Sequence, residues 1–85
     1  MEKEFEVFEQ TDGQYGVHSG AGYTSAFMAG VLRISKKMYN AMALKFGGNR
    51  DEALQAEWIH FPDKQTAENF VNQFVIPRYE IAKKI

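Results

Sequence analysis

Residues 25–46 constrain the fold more than any other part of this chain, because their apolar side chains recur with a helical period. At about 100° per residue, the large apolar side chains other than Leu44 fall on one broad arc. They are Phe27, Met28, Val31, Leu32, Ile34, Met38, Tyr39, Met42 and Phe46. The residues opposite are Arg33, Lys36, Lys37 and Asn40. The pattern predicts one long amphipathic helix, with Thr24 or Ser25 as its N-cap and a left-handed residue within 47–49 at its end.

An alternative divides this segment into a strand at residues 28–34 and a short helix that begins at Ser35. Charge disfavours the alternative, since Lys36 and Lys37 would then lie in the first turn of a helix. The helix dipole disfavours a cation in that turn by about 0.3–1 kcal/mol. The strand would also place Val31 and Arg33 on one face. We therefore expect a single helix over about residues 25–46.

Strand patterns lie on both sides of this helix. Residues 3–9 alternate between apolar and acidic side chains, Asp12-Gly13 is a common hairpin turn, and residues 14–19 resume the alternation. Residues 56–61 have the composition of a third strand, whose end Pro62 holds extended. The segment 51–56 does not decide between helix and strand. An N-terminal β-hairpin and a third strand are therefore expected.

The C-terminal part predicts a second helix over about residues 63–75. Asp63 suits its N-cap, and apolar residues follow at helical spacing. They are Ala67, Phe70, Val71, Phe74 and Val75. Pro77 is expected to interrupt this helix and to leave a short helical extension after it. The predicted fold class is α+β in the order ββαβα, a three-stranded sheet with the helices on one face.

Length and composition exclude several classes of protein. The 85 residues suit a single small globular domain over residues 1–85. The absence of cysteine excludes disulfides and zinc–sulfur sites. The acidic, alternating N-terminus differs from a signal peptide, and no apolar run approaches the roughly 18–20 residues that a membrane span needs. We expect a soluble cytoplasmic protein without a cofactor.

Charge is unevenly distributed along the chain. The protein has 10 basic and 11 acidic residues, yet residues 13–50 contain no Asp or Glu. The cations on the predicted long helix form one ridge with no acid within a turn, and Arg50 extends it. We predict that this ridge and the preceding loop bind a partner through Arg33, Lys36, Lys37, Asn40, Tyr23 and Arg50. A helix face kept polar for solubility is the simpler alternative.

The sequence favours an acidic protein surface as the partner of this ridge. Most nucleic-acid binders carry a general positive field, whereas this chain has a net charge of −1 and a pI of about 6.1. Nucleic acid is kept as an alternative partner. The first strand is rich in acids, namely Glu2, Glu4, Glu6 and Glu9. Such an opposing acidic face also suggests self-association into a homodimer.

The loop before the predicted long helix is a candidate anion-binding site. Free amides and the dipole at a helix N-terminus attract anions, and glycine lets a backbone approach a ligand closely. The candidate residues are His18, Gly20, Gly22, Thr24 and Ser25. The spacing lacks the lysine of a phosphate-binding P-loop, so a glycine turn with positive φ is the simpler interpretation. A protein that binds a phosphate ligand is kept as an alternative.

The two histidines, His18 and His60, are the strongest candidates for catalysis. Two imidazoles can act as base and acid in a metal-independent cleavage of RNA. Nothing in the sequence places both rings at one phosphate, and a metal triad of His18, His60 and Asp63 is a pattern that arises easily by chance. A small ribonuclease is therefore the remotest alternative, and we predict no catalytic and no metal site.

Aromatic residues divide into an expected core set and an expected surface set. The core set is Phe5, Tyr15, Trp58 and Phe61. Phe8 on the glutamate face and Tyr23 in the glycine loop are expected at the surface, where aromatics beside cations are favoured anchors of protein interfaces. The sequence thus predicts a non-catalytic interaction protein of inhibitor or adaptor type. It would bind an acidic macromolecule through the basic helix face and the adjacent loop.

Overall fold

The computed structural model describes residues 4–10, 13–20, 22–53 and 56–85. Its elements are β1 (Glu6–Glu9), β2 (Tyr15–His18), α1 (Ser25–Leu32), α2 (Lys36–Lys45), β3 (Asn49–Ala53), β4 (Ala56–His60), α3 (Lys64–Phe70), a π-helical segment (Val71–Val75) and α4 (Ile76–Ala82). This order confirms the α+β class and the N-terminal hairpin. Four predictions touch residues outside the described part, namely Glu2, Lys3, Asp12 and residues 54–55 of the undecided segment 51–56.

The N-terminal hairpin forms as its alternation predicts. β1 and β2 are antiparallel, with Val7 opposite Val17 and Phe8 opposite Gly16. Phe5 and Val17 are buried, while Glu6 and Glu9 are exposed. Gly13, in the connection between the strands, has a φ of 72°, a left-handed value that glycine adopts without strain.

The prediction of a single long helix is wrong, because the chain turns between Leu32 and Lys36. Arg33 adopts a left-handed φ of 56° and ends α1. The amide of Ile34 donates to the carbonyl oxygen of Ala29 (3.0 Å), which is the wide hydrogen bond of a Schellman turn. The hydroxyl of Ser35 then accepts from the amide of Met38 (3.0 Å) and caps α2. These bonds satisfy backbone groups that a helix end would otherwise leave free, so the break is stable.

The two helices have different axes and therefore bury different faces. Some residues of the predicted apolar arc are consequently buried, and others are exposed. Met28, Leu32 and Tyr39 lie in the core as expected. Phe27 and Met38, which the single helix would have buried, are 43% and 45% exposed. At the end of α2, Gly47 has a φ of 99°, so the predicted left-handed stop is confirmed.

The prediction of a three-stranded sheet is also wrong. The predicted strand forms as β4, but it pairs with β3, and Asp51 lies opposite Trp58 in this second hairpin. The described residues therefore form two two-stranded sheets. They meet at one antiparallel bridge, in which Tyr15 and Phe61 exchange amide-to-carbonyl hydrogen bonds of 2.9 and 2.7 Å. β3 lacked an apolar alternation, so only its pairing with β4 makes it a strand.

The C-terminal helix begins after Asp63, as predicted, and the carboxylate of Asp63 accepts from the amide of Thr66 (2.7 Å). Pro77 does not interrupt it. The π-helical segment precedes α4, and Pro77 occupies the first turn of α4. A proline lacks an amide and clashes with the preceding turn of a regular α-helix, and the wider turn next to it accommodates both effects. The predicted extension beyond residue 75 is confirmed as α4.

The core lies between the helices and one face of the two hairpins. Phe5, Val17, Ile59 and Phe61 supply the strand side of this core, and Phe70 is fully buried at its centre. Strand alternation sends Phe8, His18, Trp58 and His60 to the opposite side, which we call the outer face. Among the described residues, no helix is long and apolar enough to span a membrane.

Candidate functional site

The predicted basic ridge is partly neutralised by one carboxylate, that of Glu57 in β4. Arg50 Nε donates to Glu57 Oε1 (3.0 Å), and Lys36 Nζ lies 3.5 Å from Oε2. The side-chain amide of Asn40 also donates to this carboxylate. The Glu57 side chain is only 11% exposed, because it shares the core-facing side of β4 with Ile59. Three of the predicted partner-binding residues therefore bind an acid of their own chain.

The electrostatics of this cluster agree with its geometry. Partial burial acts to raise the pKa of Glu57, but the hydrogen bond and charge of Arg50, with smaller effects of Lys36 and Asn40, outweigh it and lower that pKa. The same hydrogen bond and charge of Glu57, together with the charge of Glu52, raise the pKa of Arg50. Arg50 Nη2 also donates to Glu52 Oε1 (2.6 Å). Lys36 and Arg50 are thus compensated within the protein.

The remaining predicted cations lie at the junction of α1 and α2. Arg33 is exposed in the turn, and Lys37 is exposed in the first turn of α2. Arg78 of α4 joins them: its Nε donates to the carbonyl oxygen of Leu32 (2.9 Å), and its Nη2 donates to that of Arg33 (3.0 Å). We call Arg33, Lys37 and Arg78 the basic corner. Within the described part of the chain, no carboxylate lies within 4.0 Å of their cationic nitrogens.

Sequence reasoning missed both Glu57 and Arg78. A signal for Glu57 was present, since alternation in β4 puts it on the same face as Ile59 and Phe61. A carboxylate on a core-facing position requires hydrogen bonds or a cation. Arg78 gave no signal, because it is 45 residues from the carbonyl of Arg33 that it binds.

The glycine loop is a tight turn that closes on itself. Ser19 and Gly22 exchange amide-to-carbonyl hydrogen bonds of 2.9 and 3.1 Å, and Gly20 has a φ of 60°. Gly22 also lies against the ring of Phe27, where a Cβ atom would come within 2.3 Å of ring carbons. Positive φ and close packing account for both glycines.

The candidate anion-binding side chains are used within the protein or are buried. His18 Nδ1 lies 2.9 Å from the carbonyl oxygen of Gly20. Thr24 Oγ1 accepts from the amide of Phe27 (3.3 Å) as the N-cap of α1. Ser25 is fully buried, and its hydroxyl has no hydrogen-bond partner among the described residues. These residues adjoin the start of α1, but they do not form an open set of donors.

The outer face carries a shallow pocket of about 490 Å³. Its lining residues are Phe8, Gln10, Gln14, Tyr23, Asp51, Trp58 and His60. The ring centroids of Phe8 and Tyr23 are 5.9 Å apart, and those of Tyr23 and Trp58 are 6.5 Å apart, both pairs edge to face. Trp58 therefore lies half-buried in this pocket, not in the core where the sequence placed it. Tyr23 joins the outer face, separate from the basic corner.

The two histidines lie near different carboxylates. His60 Nε2 lies 3.5 Å from Asp51 Oδ2, and His18 Nε2 lies 3.8 Å from Glu6 Oε2. Only His60 lines the outer pocket. In the described part of the chain, no group of three or more His, Asp or Glu side chains is arranged to hold a metal ion.

Comparisons with protein-family models, with curated proteins and with solved structures found no match to this chain.

Proposed function

We propose that this chain is a small, non-catalytic intracellular interaction protein, of inhibitor or adaptor type, that binds an acidic protein surface through the basic corner. The observation that carries the proposal is the convergence of Arg33, Lys37 and Arg78 at one junction without a carboxylate of the described residues within 4.0 Å. Uncompensated charge at one site steers an oppositely charged partner and fixes its orientation.

An apolar residue adjoins these charges and can anchor the partner. Met38 follows Lys37 in α2 and is 45% exposed. Methionine is flexible and polarisable, so it adapts to irregular apolar surfaces. Cations around an exposed apolar side chain match the usual composition of a protein interface.

Tyr23 is less suited to this interface than the sequence suggested. It precedes α1, whereas Arg33 follows it. The eight residues of α1 span about 12 Å at 1.5 Å per residue. The tyrosine also packs against Phe8 and Trp58 of the outer face. In this proposal Tyr23 contacts a partner only where that partner extends along α1.

A protein partner fits the charge distribution better than nucleic acid does. Tight binding to nucleic acid uses many phosphate contacts. Lys36 and Arg50 already pair with Glu57, which leaves fewer cations for such contacts. The aromatic rings of the outer face lie beside Asp51, which would repel a phosphate backbone. The few free cations of the basic corner suffice for one acidic patch.

Charge reversal at the basic corner tests the proposal. An Arg33→Glu/Lys37→Glu variant should lose the partners that the wild-type protein retains in a pull-down, and direct binding to poly-L-glutamate should weaken with it. A Lys45→Glu/Lys84→Glu variant has the same change in net charge at other exposed positions, and it should behave as wild type. Lys37→Glu places an acid in the first turn of α2, which favours the helix. The variant should therefore remain folded, and circular dichroism checks this.

Three outcomes would contradict the proposal. The same partners with all three proteins would remove the basic corner from the interface. Preferential binding of a DNA or RNA oligonucleotide, with an affinity that falls steeply with salt, would favour the nucleic-acid alternative. A thermal shift with polyphosphate that survives the Arg33→Glu/Lys37→Glu substitutions would instead point to a phosphate ligand elsewhere.

A further inference from the structure

The outer edge of β1 offers backbone hydrogen-bonding groups that β2 does not use. The amide of Gln10 donates to the carbonyl oxygen of Gln14 (2.6 Å). Hydrogen-bonded pairs alternate along an antiparallel ladder, so Phe8–Gly16 is hydrogen-bonded and Val7–Val17 is not. The N–H and C=O of Val7 therefore point away from β2.

The position of Tyr15 supports this assignment. Tyr15 lies opposite Glu9, and Tyr15–Glu9, like Val7–Val17, is a non-hydrogen-bonded pair of the ladder. Its amide and carbonyl bond to Phe61, on the side away from β1. β2 thus has a neighbour on its second side, whereas no strand within the described ranges pairs with the outer edge of β1.

A groove of about 880 Å³ runs along this free edge. The strand side of its lining consists of four consecutive residues: Glu4 and Phe5, which lead into β1, and Glu6 and Val7 at its start. Side chains alternate between the faces of a strand, so consecutive residues share a groove only where it follows the strand's edge. The other wall is a stripe of the C-terminal helices: Lys64, Glu68, Val71, Asn72, Ile76, Tyr79, Glu80 and Lys83. The walls meet at Phe5 and Tyr79, whose rings are 5.1 Å apart.

The charge of the groove is negative. It contains Glu4, Glu6, Glu68 and Glu80 against Lys64 and Lys83. Lys83 Nζ lies 3.1 Å from Glu80 Oε2, so this pair compensates itself. Three carboxylates then face one remaining ammonium. Ile76, 41% exposed, adds an apolar contact within the same groove.

We propose that this groove binds an extended, basic segment of a partner protein as an added strand beside β1. The N–H and C=O of Val7 would bond the backbone of that segment, as in other cases of strand addition. On the helix side of the segment, side chains would contact Ile76 and Glu68, and the alternate Lys or Arg side chains on its other face would meet Glu4 and Glu6. The surface is separate from the basic corner, so this proposal does not depend on the proposed function.

Synthetic peptides test the occupant. The probes are six-residue peptides in which Lys or Arg alternates with Val or Ile, together with twins in which Glu replaces each basic residue. Fluorescence anisotropy should show binding of basic peptides and at least about tenfold weaker binding of the acidic twins. Amide NMR shifts should change for Val7 and for residues of α3 and α4. Binding of neither series, or equal binding of both, would overturn the proposal.

Two substitutions at one position test the backbone contact. Val7→Pro removes the outward N–H, and proline is tolerated on an edge strand where its missing amide faces outward. Val7→Ala shortens the side chain but keeps the amide. We expect Val7→Pro to weaken binding of the basic peptides at least about tenfold and Val7→Ala to change it much less. Equal effects of the two would show that the backbone is not the contact.

Glu68→Lys, on the helix wall, provides a test independent of β1. It should weaken binding of the basic peptides and strengthen that of the acidic twins. Unchanged affinities would overturn the charge argument. Sedimentation of the free protein over a range of concentrations tests whether a second copy of this chain occupies the groove. Dimerisation that Val7→Pro abolishes would identify this chain as the occupant and would overturn the proposed partner.

Discussion

At the scale of single residues, Glu57 neutralises two of the cations of the predicted basic ridge, Lys36 and Arg50. It lies at a core-facing position of β4 and gathers Lys36, Asn40 and Arg50 around its carboxylate. A nearly buried carboxylate needs such partners, because its desolvation is otherwise unfavourable. Residues that are sequence neighbours on one helix face therefore have different roles: Lys36 binds within the protein, while Lys37 faces the solvent.

The substitution Glu57→Gln should destabilise the fold near pH 7, because it leaves Lys36 without a compensating charge and Arg50 with only the exposed Glu52. The pKa of Glu57 lies below its ordinary value of 4.5, so its ionised form stabilises the native state above that pH. The stabilisation is lost as the pH falls through the lowered pKa. The difference in the free energy of unfolding between wild type and variant should therefore shrink below pH 4.5. Urea unfolding followed by circular dichroism measures it.

Glu52→Gln is the matched control for this prediction. Glu52 also binds Arg50, but its side chain is 62% exposed, and exposed ion pairs contribute little. We expect a clearly smaller loss of stability than for Glu57→Gln. Equal losses, or a Glu57→Gln effect that persists unchanged in acid, would show that the cluster is not held by the ionised Glu57.

At the scale of elements, the break between α1 and α2 shows where sequence reasoning succeeded and where it failed. The Thr24 cap and the glycine stop at Gly47 were predictable, because these residue types favour those positions. The turn at Arg33 was not, since a left-handed helix end usually carries glycine. The helix dipole disfavours Lys36 in a first turn, yet Glu57 lies 3.5 Å from its ammonium and offsets this effect. That compensation comes from 21 residues further along the chain, beyond any local pattern.

Ser35→Ala should destabilise the protein by about 1 kcal/mol, the typical effect of removing an N-cap. The hydroxyl of Ser35 accepts from the amide of Met38 (3.0 Å), and alanine leaves that amide without its partner. Ser35→Asp keeps an acceptor and should remain close to wild type. Thermal unfolding of the three proteins at neutral pH compares them. An equal loss in both variants would mean that the position matters for another reason than capping.

At the scale of the whole molecule, the fold separates a helix-covered core from the two surfaces for which binding is proposed, the basic corner and the groove beside β1. The strands β1, β2 and β4 and the C-terminal helix could be predicted, because their apolar residues recur with the period of a strand or of a helix. β3 was not readable, because Asn49–Ala53 is mostly polar and becomes a strand through its pairing with β4. The groove beside β1 was equally unreadable: it arises where the C-terminal helices pass the free strand edge, which is a matter of tertiary packing.

Phe70 packs against aromatic rings from α2, from the residues that follow α2 and β4, and from the π-helical segment, and its loss should come close to unfolding the protein. Its ring is fully buried and lies 5.4–5.7 Å from the rings of Phe46, Phe61, Phe74 and Tyr39. Phe70→Ala should lower the free energy of unfolding by about 3–5 kcal/mol, a large part of the roughly 5–15 kcal/mol typical of small domains. Phe74→Ala removes the same side chain from a half-buried position and should cost clearly less. Denaturant unfolding measures both, and equal losses would place the centre of the core elsewhere than at Phe70.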